Sequence, residues 1–91
     1  MLYDLTMKIY DKSKEEKVDL RVAYEKVAQE IGYADELMKA YTFGTKFYNE
    51  IVYLRTKNKL ALLKTLAGVY EKEGSAAARA YVQELKDRGE F

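Results

Sequence analysis

At 91 residues the chain lies above the roughly 70 to 80 residues below which one core needs disulfide or metal staples, so a single domain over 1–91 is expected. No Pro, only 5 Gly and a hydrophobic fraction of 48% favour helices over turns and short strands. With no Cys and no His, disulfides, thiolate nucleophiles, zinc and iron–sulfur centres and imidazole proton shuttles are excluded, and the net charge of +1 is nearly balanced.

Residues 2–12 carry two patterns at once. Tyr3, Leu5, Met7 and Ile9 alternate as in a strand, while Leu2, Leu5 and Ile9 also fit helical steps. Helix is favoured here. The alternative is a β-hairpin over 2–22, because Val18, Leu20 and Val22 alternate too.

From Leu20 the periodicity is helical, with Leu20, Ala23, Tyr24, Val27, Ala28 and Ile31 on one face and Gly32 placed to end it. Its start is either a capping box of Ser13 with Glu16 or a cap at Asp19.

The segment from Ala34 to about Leu54 reads as the central helix. At about 100° per residue its apolar side chains cover an arc of roughly 180°, wider than a surface helix needs. Leu37, Ala40, Tyr41, Phe43, Phe47, Tyr48, Ile51, Val52 and Leu54 lie on it. Gly44 sits mid-arc, where it costs about 1 kcal/mol of helix propensity relative to Ala. Close approach by a second helix backbone, in the fold or across a dimer, would offset that cost.

A break is expected near Thr56–Asn58, after which Leu60, Leu63, Leu66, Ala67 and Tyr70 resume an apolar face. Gly74 then stops the helix, Ser75 caps a last one with Ala78, Tyr81, Val82 and Leu85 facing in, and Gly89 ends it. The fold expected is all-α, one compact bundle of four to five helices.

Within this framework Val27–Tyr33, followed by Met38 and Tyr41, resembles a DNA-binding helix-turn-helix, with Ala28 four residues before the turn glycine Gly32. The resemblance covers about twenty residues and implies a second helix lying on DNA. Asp35 and Glu36 open that helix, however, which points carboxylates at phosphates, and the rest of it is apolar rather than base-reading. An ordinary helix corner is the favoured reading.

No acid lies between Glu50 and Glu71, so Arg55, Lys57, Lys59 and Lys64 form an unopposed basic stretch, with Lys46 upstream and Tyr53 beside it. Ammonium and guanidinium groups next to an aromatic ring suit phosphates and a stacked base, although a solvated loop has the same composition. Among nine tyrosines, most fall on inward faces; Tyr33 and Tyr53 are the interface candidates.

The carboxylate pairs Glu15 with Glu16, Asp35 with Glu36 and Glu71 with Glu73 sit on polar faces and match no nucleophile or metal-ligand spacing. Catalysis, cofactors, metals and small-molecule substrates are therefore not expected. No apolar run approaches a membrane span and Met-Leu-Tyr-Asp is no secretory start, so a cytoplasmic protein away from membranes is expected. A charged fraction of 34% with two Asn and two Gln resembles proteins of hot environments, and the lack of Pro argues against it.

The leading expectation is a non-catalytic protein–protein interaction module, a homodimer or an accessory subunit of a larger assembly, acting through Tyr41, Gly44, Phe47, Tyr48 and Tyr53. The alternative is a DNA- or RNA-binding protein using Lys46, Arg55, Lys57, Lys59 and Lys64.

Overall fold

In the computed structural model, which describes residues 1–91, the ambiguous N-terminal segment is a helix, α1 (Leu2–Glu16). Its buried side chains, Leu2, Thr6, Ile9 and Tyr10, follow helical steps, while the alternating Tyr3, Leu5 and Met7 are only half-buried. The hairpin over 2–22 is thus overturned, and the chain has no strand. A helix satisfies its own backbone groups, whereas an isolated two-stranded ribbon leaves two open edges. The one polar residue on the buried stripe is satisfied locally, Thr6 donating its hydroxyl to the Leu2 carbonyl at 2.7 Å.

Lys17 ends α1 in the left-handed region at φ 55°, and the Val18 amide reaches back to the Ser13 carbonyl at 3.1 Å. This is a six-to-one helix closure. Ser13 therefore belongs to the end of α1, and of the two starts open to the next helix Asp19 is the one used, its carboxylate accepting from the Val22 amide at 2.9 Å. Helix α2 (Leu20–Ile31) buries Ala23, Tyr24, Val27 and Ala28.

The expected central helix is two helices, α3 (Asp35–Lys46) and α4 (Tyr48–Thr56). Between them Phe47 takes φ −113° and ψ 32°, outside the α region, so the hydrogen-bond ladder cannot run through it. The buried positions are Leu37, Ala40, Phe43 and Gly44 in α3, then Phe47, then Ile51 and Leu54 in α4. The arc looked wide because it also counted Tyr48 and Val52, which are exposed.

Asn58, at φ 55°, closes α4 as Lys17 closes α1, with the Lys59 amide on the Leu54 carbonyl at 2.8 Å. The expected break near Thr56–Asn58 is present. Helix α5 (Leu60–Glu73) buries Leu63, Leu66 and Ala67, and α6 (Ser75–Asp87) buries Ala78, Val82 and Leu85. Gly74 alone separates them at φ 94°, a backbone conformation that a side chain would strain. It holds the cap position expected for Ser75, which is the first helical residue instead.

The count is therefore six helices rather than four or five. They divide into two compact units, Met1–Lys46 and Phe47–Phe91. In the first, α1 packs on α2 and α3 and α2 packs on α3; in the second, α5 packs on α4 and α6. No helix is long and apolar enough to cross a membrane.

Candidate functional site

In the first unit the α2–α3 corner exposes apolar surface. Ile31 lies seven residues, almost two full turns, beyond Tyr24, so it continues the inner face of α2, but the helix stops at Gly32 and leaves it 51% exposed. Tyr33, in the connecting turn, is 62% exposed, and Met38, in the first turn of α3, is 57% exposed. Three large apolar side chains within eight residues thus face solvent.

Tyr33 is fixed rather than loose. Its hydroxyl donates to the Glu25 carboxylate at 2.6 Å, and its ring meets Tyr24 edge-on at 6.4 Å. The hydrogen bond that the Tyr33 hydroxyl donates to Glu25 raises its pKa above the ordinary phenol value, with partial desolvation and then the Glu25 charge adding in the same direction. Tyr24 in turn lies 4.8 Å from the ring of Tyr41, so Tyr41 is half-buried behind the corner. Met38, which the helix-turn-helix resemblance requires as an inward lock, points out instead, and the buried side chains flanking this corner are Val27, Ala28, Leu37 and Ala40.

Gly44 is buried, and the atom that a Cβ would meet is Tyr10 Cε1 at 3.2 Å. The Tyr10 hydroxyl donates to the Gly44 carbonyl at 2.6 Å. The close approach expected at Gly44 is real, but a tyrosine side chain of α1 makes it, not a second helix backbone. Phe47 is buried too, with Tyr70 edge-on at 5.8 Å and the Arg79 guanidinium over its ring at 4.1 Å. Arg79 also reaches Glu50 at 3.2 Å. Of the five residues expected at an interface, Gly44 and Phe47 are buried, Tyr41 and Tyr53 are half-buried, and Tyr48 is exposed.

The basic residues are divided between the units. Lys46 ends α3 in the first; Arg55, Lys57, Lys59 and Lys64 belong to the second. Lys57 Nζ stands 5.9 Å from the centroid of the Tyr53 ring, a cation–π arrangement at the outer limit of its range. Phe91 stacks on Tyr53 at 5.1 Å with 21° between the planes. Lys59 Nζ donates to the Glu90 carbonyl at 2.8 Å and to its Oε1 at 3.4 Å. Lys64 is exposed on α5, rotated by about 140° from Lys59 around the helix, so it does not share the Tyr53 cluster by register.

The paired carboxylates Glu15 and Glu16, Asp35 and Glu36, and Glu71 and Glu73 are all exposed. Glu16 and Glu30, in the first unit, are held in ion pairs. Lys12 bridges Glu30 at 2.7 Å and Glu16 at 3.5 Å, and Lys26 meets Glu16 at 3.0 Å. The Glu30 carboxylate hydrogen-bonded to Lys12 raises that ammonium's pKa, and Lys26 holds Glu16 below the ordinary carboxylate value.

No family model, no curated protein and no solved structure matches the chain. Function must therefore be argued from these surfaces. Sequence reasoning missed Ile31 and Met38 as exposed groups, and missed the Glu90–Phe91 segment altogether. The first signal was present: an apolar residue directly before a terminating Gly overhangs its helix. The second has none, because a stack between residues 53 and 91 leaves no trace in periodicity.

Proposed function

We propose that the chain is a non-catalytic helical docking module that works through a protein partner, as a homodimer or as a small accessory subunit of a larger assembly. The carrying observation is the α2–α3 corner, where Ile31, Tyr33 and Met38 stay in water although each is large and apolar. Aromatic and Met side chains are enriched where proteins meet. Tyr33 is held by Glu25 and Tyr24, so little conformational freedom is lost when a partner covers it. Met38 adapts its shape to the opposing surface.

Sedimentation equilibrium tests this directly. The expected result is a concentration-dependent dimer that the Ile31→Glu, Met38→Glu double variant reduces to monomer while keeping its helical circular dichroism. A wild-type chain that stays monomeric rules out the homodimer. The accessory-subunit form then stands only if the same double substitution abolishes capture of a partner.

A second reading is binding of single-stranded nucleic acid at the α4–α5 junction. It is favoured by one observation: the Tyr53 ring lies beside Lys57, with Lys59 at the start of the next helix, in a stretch without acids between Glu50 and Glu71. Lys57→Glu, Lys59→Glu should remove affinity for an oligonucleotide that falls steeply with salt.

A further inference from the structure

The chain ends its last helix at Gly89, φ 77°, where the Glu90 amide turns back to the Leu85 carbonyl at 2.9 Å. That turn delivers two groups to the α4–α5 junction. The Phe91 ring lies nearly parallel to Tyr53, 21° between planes at 5.1 Å, and two oxygens of Glu90 converge on Lys59 Nζ at 2.8 and 3.4 Å. A flat ring on Tyr53 with paired oxygens on the adjacent ammonium is the contact pattern of one nucleotide, base stacked and phosphate clamped.

We propose that Glu90–Phe91 is a releasable strap that occupies, by imitation, a nucleotide subsite formed by Tyr53, Lys57 and Lys59, so that single-stranded nucleic acid binds by displacing it. The inference rests on the second reading above and adds its regulation. The strap is poised to leave: Lys59 is 33% and Glu90 40% exposed, and an ion pair this open to water is screened and weak. A nucleic-acid strand replaces both contacts and adds phosphates that Lys57 can meet, with release of counterions that a carboxylate does not provide. Single-stranded nucleic acid is favoured over duplex because stacking on Tyr53 needs an unpaired base face.

The test uses the full chain and fluorescence anisotropy of a fluorescein-labelled oligothymidylate at low and high salt. The Glu90→Gln, Phe91→Ala variant should bind about tenfold more tightly than wild type, because each base–aromatic stack no longer competes with an internal one. Adding Tyr53→Leu should abolish that gain. Adding Lys59→Gln instead should reduce it and flatten the salt slope, which serves if the Tyr53 variant loses its helical circular dichroism.

If wild type and strap variant bind with equal affinity, the strap proposal is overturned while nucleic-acid binding stands. If neither binds, both are overturned. A strap variant that takes up an acidic, aromatic peptide and not the oligonucleotide also overturns the proposal, since the junction would then be a protein contact.

Discussion

Tyr10 and Gly44 show how one side chain sets a residue's identity elsewhere. Gly44 is among the last four residues of α3, whose carbonyls run out of intrahelical donors, and the Tyr10 hydroxyl supplies one at 2.6 Å inside the first unit. Tyr10→Phe leaves that buried carbonyl short of a donor, with an expected loss of about 1–3 kcal/mol of unfolding free energy in urea titrations. Gly44→Ala gains helix propensity of about 1 kcal/mol, but its Cβ would stand 3.2 Å from a ring pinned at its hydroxyl end. The net effect expected is destabilising, and smaller in a Tyr10→Phe background, where the ring can shift. Additive effects in that double-mutant cycle would refute the coupling.

The same scale carries the acid response. Glu16 is held below its ordinary pKa by Lys26, so its contribution is complete above the ordinary carboxylate range and is lost as pH falls through the depressed folded value. Lys12, raised by Glu30, contributes fully below the ordinary lysine value and loses that contribution as pH rises through the higher folded one. Thermal melts should therefore show wild type losing more stability than Glu16→Gln between neutral pH and acid. An identical acid loss in the two proteins would show that these ion pairs do not act in solution.

At the scale of elements, three of the six helices end by the same device, an amide reaching five residues back over a left-handed residue: Lys17, Asn58 and Gly89. Only the last is glycine. For a side-chain-bearing residue this conformation costs roughly 1–2 kcal/mol, partly offset when Gly adds freedom to the unfolded chain. Lys17→Gly should therefore stabilise the protein by about 0.5–1 kcal/mol and raise the melting temperature by a few degrees. A lowered melting temperature would mean that α1 does not end there.

These ends also explain what could be read ahead. Gly32 and Gly74 announce their helix ends because glycine is preferred where φ is positive, and Asp19 announces a start because its carboxylate can accept from an amide. Lys17 carries no such mark. Nor does Phe47: an apolar residue in phase with its neighbours reads as mid-helix, and only its packing with Tyr70 and Arg79 in the second unit reveals where it belongs. Of the candidate surfaces, Tyr33, Tyr53 and the basic stretch were legible as residue types. The exposure of Met38 was not, because whether an apolar side chain faces in depends on where the neighbouring helix ends.

At the scale of the whole molecule, the two candidate surfaces lie in different units and obey different physics. The Ile31–Tyr33–Met38 corner is apolar, and with a net charge of +1 two copies meet without appreciable long-range repulsion to screen. Association through it should change less than about twofold between roughly 50 and 500 mM NaCl, weaken on cooling, and carry a negative heat-capacity change in dilution calorimetry. Nucleic-acid binding at the Tyr53–Lys59 junction, as proposed, would displace counterions, so oligonucleotide binding by the strap variant should fall with a log–log salt slope of about −0.7 per phosphate engaged. Run on one preparation, the pair of salt titrations separates the surfaces. If self-association collapsed with salt in step with oligonucleotide binding, the corner would not be the dimer contact, and the charged groups of the second unit would have to carry both.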